Sequence, residues 1–229
     1  MAFIGAFIYR AKRKLPRNGD KMFNVVGMNE FVGMANGDSH CWLCQKPVST
    51  RALFCHHCGS IQPVRDIDHF ARLGLERRID VDVEMLEKQY VALGRTLSPE
   101  RFLIRGIGER GHAAKQLEAL NLSYNTLRDP LQRGRYWLQL NEKTFKDAVN
   151  ANPLVTELRR ALTDATEPGQ CDSVAQKAGQ ALEQGVMLLM QALRGENWDQ
   201  ANETLIELDG VESILDEVRA RRSGLVTGE

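Results

Sequence analysis

The sequence predicts an all-α chain with a small cysteine-held knuckle in front of its helices. Three observations lead there. From about residue 66 onward, apolar residues recur at the three-and-four spacing of amphipathic helices, and the long alternating Val/Ile/Thr runs of strands are absent. Four of the five cysteines fall between Cys41 and Cys58, while Cys171 stands alone. A polar connector over residues 141–152 divides the helical part in two. The expected organisation is a poorly ordered or mis-started lead over 1–39, a knuckle over 40–63, a compact helical segment over 66–140 and a three-helix bundle over 153–222.

Composition narrows the function classes. Lys plus Arg and Asp plus Glu both number 30, so the net charge is zero, which gives no bulk argument for nucleic acid or an anionic membrane. The longest apolar run, "MAFIGAFIY", falls far short of the ~20 residues of a membrane span. It precedes Arg10, Lys12, Arg13, Lys14 and Arg17, the reverse of the charge order in a secretory signal. Three readings of this lead stand: an organelle presequence, a basic tail, or a start codon at Met22, Met28 or Met34. The lead is a poor presequence, so the bacterial cytoplasm is the expected compartment and the mitochondrial matrix the alternative.

The helices of the middle segment read in order. "DHFARLG" forms a short one, with Gly74 as its stop. Asp82 is the N-cap of a helix over about 82–97 whose stripe is Leu86, Tyr90, Leu93 and Leu97. A Ser-Pro-Glu turn follows, because Pro99 forces Ser98 out of helical geometry. Ala113, Leu117, Leu120, Tyr124 and Leu127 mark the next helix, and Asp129-Pro130 ends it and opens "PLQRGRYWLQL". Gly106-Ile-Gly108 reads as a loop, and His69 and His112 as ordinary helix-end or surface residues. The C-terminal helices are expected over about 153–164, 172–194 and 197–222, with "Gly195-Glu-Asn" as stop and restart and "SGLVTGE" as a frayed tail.

The cysteines carry the first chemistry. In "CWLCQKPVSTRALFCHHCGS", Cys41, Cys44, Cys55 and Cys58 form two C-x2-C pairs ten residues apart. Each pair turns two thiolates toward one ion, and two pairs complete a tetrahedral four-thiolate site that suits structural zinc; an iron–sulfur cluster is the alternative. Pro47 and Gly59 suit the tight turns. His40, His56 and His57 border the site as exposed neighbours.

With these helices and cysteines in place, the middle segment resembles a DnaJ-type J domain. "Leu127-Arg-Asp-Pro-Leu-Gln-Arg-Gly-Arg-Tyr-Trp-Leu", "Asn121-Leu-Ser-Tyr-Asn-Thr-Leu" before it and "Asn197-Trp-Asp-Gln-Ala" further on are similar to the HscB iron–sulfur co-chaperones. A tetracysteine segment directly before the J domain resembles the mitochondrial form. The resemblance covers about residues 40–222. It implies a non-enzymatic co-chaperone whose J domain docks on a heat-shock ATPase chaperone of the HscA or DnaK type. Its bundle would bind an iron–sulfur scaffold protein such as IscU, with neither nucleic acid nor membrane as partner.

Two departures from the family pattern stand out. The family's trigger loop reads His-Pro-Asp, then a basic residue and Phe; here Ser98, Pro99 and Glu100 occupy those places, followed by Arg101 and Phe102. The imidazole is lost and the carboxylate is one methylene longer, so ATPase stimulation is expected to suffer while the fold does not. Lys88, Arg95, Arg101 and Arg105 are the expected basic face that docks on an acidic chaperone surface; a solvated helix face with Glu84 and Glu87 nearby is the alternative. The family's apolar client patch carries over to Leu154, Val155 and Leu158, but its Phe on the last helix falls at Gly210. A J-like adaptor that works by protein contacts alone is therefore the second reading, and a cysteine-ligated iron–sulfur protein the third.

Overall fold

A computed structural model describes residues 39–143 and 152–227. The expected lead and most of the polar connector lie outside the described residues. The described chain opens with a two-stranded antiparallel ribbon, β1 (Ser39–His40) and β2 (Pro47–Val48). Seven helices follow: α1 (His69–Arg72), α2 (Val83–Thr96), α3 (Ile107–Arg128), α4 (Pro130–Leu140), α5 (Pro153–Asp164), α6 (Pro168–Arg194) and α7 (Trp198–Thr227). A single 3-10 turn, Pro99–Phe102, lies between α2 and α3.

The helix limits follow from local chemistry. The Asp82 carboxylate accepts from the Met85 N–H at 3.1 Å and starts α2. Asp129 accepts from Leu131 and Gln132 at 2.8 and 3.0 Å, and Pro130 occupies the first position of α4, where no donor is needed. Asn152 caps α5 in the same way. The helix α6 begins four residues before the expected start. Pro168 takes its first position, and the Gln170 side chain reaches back to the Glu167 N–H at 3.2 Å. The left-handed residue between α6 and α7 is Glu196 (φ 53°), not Gly195. The expected frayed tail is helical through Thr227.

The expected stripes form the first core. Leu86, Leu97, Phe102, Ala113, Leu120, Tyr124 and Leu127 are buried together with Phe70 and Leu73, and Tyr90, Leu93 and Leu117 pack at its margin. Tyr90 and Tyr124 stack at 4.0 Å and tie α2 to α3. Burial and a bond to the Glu87 carboxylate push the Tyr124 hydroxyl up to about 12, so it serves as a donor throughout the physiological range.

The helix α4 belongs to two cores at once. Its Trp137 packs against the first core, while Leu131 and Leu138 pack with Leu189, Leu193, Leu205 and Leu208 of α6 and α7. Arg194 of α6 grips the Asp80 carboxylate through two nitrogens, at 2.7 to 3.0 Å. A third core, built on Leu158, Leu162, Cys171, Val174, Val211, Ile214 and Val218, closes the α5–α6–α7 bundle.

Candidate functional site

The two C-x2-C segments fold into near-identical knuckles. In the first, the Gln45 N–H donates to the Cys41 carbonyl (3.0 Å) and the Cys41 N–H to Lys46 (2.9 Å). In the second, Gly59 donates to Cys55 (2.8 Å) and Cys55 to Ser60 (2.9 Å). Each knuckle needs one left-handed residue: Gly59 (φ 72°), as expected from its lack of a Cβ, and Gln45 (φ 60°). Pro47 is not a turn residue but lies in β2.

The knuckles bring all four Sγ atoms within 4.8 Å of one another, with Cys41–Cys58 and Cys44–Cys55 at 3.7 Å. Four thiolates bound tetrahedrally at ~2.3 Å stand about 3.8 Å apart, so the set fits one ion. A cluster that distributes its thiolates over several irons spreads them farther. Burial alone raises the Cys41 thiol, but the Cys44 and Leu43 N–H groups, the Ser60 hydroxyl and the Gln62 amide outweigh it and bring it down to about 5. On Cys44 the Lys46 N–H acts downward, yet burial and the other three thiols push it up to about 11. Four thiols this close resist joint ionisation without a cation among them.

Around the sulfurs lies a buried polar shell. The Ser60 hydroxyl stands 3.3 Å from Cys41 Sγ and 3.2 Å from Cys58 Sγ, and the Gln62 amide donates to Cys41 Sγ at 3.4 Å. Gln116 of α3 donates to the Gln62 carbonyl at 3.0 Å, linking the shell to the first core, and Ile61 inserts directly into that core. The Trp42 indole donates to the Ile61 carbonyl at 2.7 Å and meets His112 edge-on at 4.9 Å. A Cβ at Gly108 would lie 3.1 Å from the Trp42 ring. Gly108 is therefore in the first turn of α3 beneath Trp42, not in a loop, and His112 is part of this seat. His69 likewise exceeds its expected role: its Nδ1 contacts the Ser123 hydroxyl at 2.8 Å and its ring lies 4.3 Å from that of Tyr136.

Of the residues expected to form a trigger loop, Pro99, Glu100, Arg101 and Phe102 make the 3-10 turn and Ser98 precedes it. Ser98 is extended (ψ 135°), as the residue before proline must be. Glu100 is exposed, and its carboxyl is held below the usual range by its own N–H and the Ser98 hydroxyl. Arg101, Lys88 and Arg95 are exposed, and Phe102 is buried. Lys88 and Arg95, seven residues apart, share one face of α2.

On the bundle, Leu154 and Val155 are half-buried, whereas Leu158 is 2% exposed and belongs to the third core. Leu158 therefore offers no side chain to a partner while the bundle is closed. Gly210 lies beneath Val155: a Cβ there would come within 2.6 Å of the Val155 Cγ2. The absence of a side chain on α7 is what lets α5 approach.

No family model matches the chain. Over 220 residues it is 28% identical to an iron–sulfur cluster co-chaperone HscB homolog of Arabidopsis thaliana, covering 91% of this chain and 86% of that protein. It is 23% identical to the mouse iron–sulfur cluster co-chaperone HscB over 88% of this chain and 90% of that one. Its fold superposes on the crystal structure of human HscB with a TM-score of 0.72, covering 80% of this chain and 98% of that one at 22% identity. The chain has the HscB fold. HscB from Vibrio cholerae gives a TM-score of 0.60 over 69% of this HscB-like chain and 99% of its own. The four cysteines of the HscB-like chain are positioned to bind a metal ion.

Several site residues escape sequence reasoning. Trp42 and Ser60 carry no signal, since polar and aromatic residues are common between such knuckles. Gln116 has one: it stands three residues after Ala113 and four before Leu120, on the apolar stripe itself. An amide there implies a buried partner.

Proposed function

We propose that the chain is an HscB-like co-chaperone in iron–sulfur protein maturation, not itself an enzyme. Its J-like segment binds an HscA- or DnaK-type ATPase chaperone, and its bundle binds an IscU-like scaffold protein. The observation that carries this reading is the likeness to HscB proteins, in sequence and in fold, along nearly the whole chain. The chaperone-docking residues are Ser98, Pro99, Glu100, Arg101, Lys88 and Arg95. Leu154 and Val155 are the exposed part of the client face, with Leu158 supporting them from the core. The compartment we propose is the bacterial cytoplasm; the wide overlap with the plant and mouse relatives favours the mitochondrial matrix as the alternative.

Cys41, Cys44, Cys55 and Cys58 would hold one structural zinc. Support comes from the all-thiolate set and its single-ion spacing, since four thiolates suffice for a tetrahedral structural zinc. A bound zinc would join two segments too small to build a core of their own. Metal analysis should return one zinc per colourless chain; visible absorption with bound iron would establish the iron–sulfur reading instead.

A J-like adaptor that binds without stimulating ATPase is the second reading. What favours it is the loop composition: Ser98 supplies no imidazole, and Glu100 carries its carboxylate one methylene farther out. Isothermal titration of the full chain against an HscA- or DnaK-type chaperone and against an IscU-like scaffold tests the first reading. Saturable binding of both is expected, and binding of neither would overturn it.

A further inference from the structure

The segment that follows the trigger residues displays apolar side chains outward. Phe102 turns into the first core, and the Arg105 N–H closes a turn on its carbonyl at 3.0 Å. With Phe102 anchored, the next aliphatic residues have no core left to enter. Leu103 is 67% exposed, Ile104 95% and Ile107 82%. Three large aliphatic side chains this exposed within five residues are a local concentration of apolar surface, which marks an interface more than a scattered exposed residue does.

The backbone beneath the patch is held at both ends. The buried Phe102 fixes one end, and Trp42, seated over Gly108, fixes the first turn of α3 at the other. A patch on a fixed backbone loses little conformational entropy on binding. Its surroundings are cationic. Arg95, Arg101, Arg105 and Arg110 are exposed across the same stretch. Only two carboxylates, Glu100 and Glu109, stand among these four arginines, and Glu109 lies 3.8 Å from Arg105. The complementary partner surface is therefore an apolar groove with an acidic rim.

We propose that Leu103, Ile104 and Ile107, rimmed by Arg101 and Arg105, form an apolar docking site for the ATPase chaperone. The site supplies by buried area the binding that an imidazole and a short carboxylate would otherwise contribute at this loop. This inference rests on the co-chaperone reading above. It separates two roles of the loop: docking resides in the apolar patch, and stimulation in the trigger residues that this chain has exchanged. Desolvated aliphatic anchors at the centre of a charged rim give affinity, while the arginines steer association and make it sensitive to salt.

The test compares affinities of full-length chains for an HscA- or DnaK-type chaperone by isothermal titration. The chains are native, Leu103→Ser/Ile104→Ser/Ile107→Ser, Ile104→Asp alone and Arg101→Gln/Arg105→Gln. Met187→Ser, at a distant exposed apolar residue on α6, serves as control. The triple variant and Ile104→Asp should each weaken binding by about tenfold or more with unchanged melting temperature. The double arginine variant should flatten the salt dependence, and the control should bind like the native chain. Native binding that survives the triple variant within about twofold would overturn the patch alone and leave the co-chaperone reading standing. Absence of native binding to any such chaperone would overturn both. Patch-dependent binding to vesicles of anionic phospholipid, or patch-dependent self-association in sedimentation, with chaperone affinity unmoved, would assign the patch to another occupant and overturn the proposal.

Discussion

The tetracysteine knuckle and the surfaces proposed to face partners are built on opposite rules. In the knuckle the side chains converge. Four sulfurs lie within 4.8 Å, Ser60 and Gln62 are fully buried around them, and Gln116 and Trp42 bind the unit to α3. At the trigger loop and on α5 they diverge: Leu103, Ile104 and Ile107 point outward, and Leu154 and Val155 are only half-covered. An inward-facing site fails when one member is lost, because the others are left unpaired in a closed space. An outward-facing surface tolerates exchange while the fold persists.

The largest expected effect is in the knuckle. Cys41→Ser removes one of four ligands and should abolish stoichiometric metal binding at micromolar protein. Structural four-ligand zinc in small fingers contributes ~10–16 kcal/mol of folding free energy, so residues 39–62 should lose amide-exchange protection while α5 to α7 retain theirs. Equal loss of protection throughout would mean that the knuckle is not a separate metal-held unit.

A second substitution probes the diverging side. Gly210→Phe restores the family's aromatic on α7 but places it where Val155 already packs, 2.6 Å from any Cβ. It should cost about 1–3 kcal/mol of stability in denaturant melts, as overpacked cores do. Unchanged stability with tighter scaffold binding would show that α5 yields and that the aromatic serves as an anchor here too.

A smaller effect is expected at the buried shell. Gln62→Leu removes the amide donor to Cys41 Sγ and should weaken the metal by about 10–100-fold in competition with a chelator, without loss of the fold. An unchanged affinity would show that the sulfurs alone set the site.

The mildest test is one of pH. Burial among α1, α3 and α4 lowers the His69 pKa, with Arg72 adding to it, against the upward pull of Asp68. The folded form therefore binds its proton less readily than the unfolded chain does. The stability this confers is complete above the unfolded value near ~6.5 and is lost as pH falls through the lower folded value. His69→Gln should remove that part of the acid sensitivity. An equal pH slope in both chains would show that His69 remains neutral over the range or is open to solvent.

Much of this was legible in the sequence, for identifiable reasons. Asp82, Asp129 and Pro130 set helix starts by local chemistry that needs no tertiary context, and the stripes of α2 and α3 followed from period alone. The clustering of the four thiols was legible because C-x2-C spacing fixes geometry within one turn. The role of α4 in two cores was not legible, since Leu131 and Trp137 read identically whichever core they enter. Nor was the contact of Gly210 with Val155, which joins residues of two helices far apart in the chain. Ser98 and Glu100 were visible as departures from the resembled pattern, but the 3-10 turn over Pro99–Phe102 was not.

The most direct measurement is the steady-state ATPase rate of an HscA- or DnaK-type chaperone with native chain, with a Ser98→His/Glu100→Asp variant, and alone. The account predicts weak stimulation by the native chain and a rise of about tenfold or more with the double variant, because docking and architecture are in place and only the trigger has been exchanged. No stimulation by either, from a folded and metal-loaded chain, would contradict the co-chaperone reading at its centre.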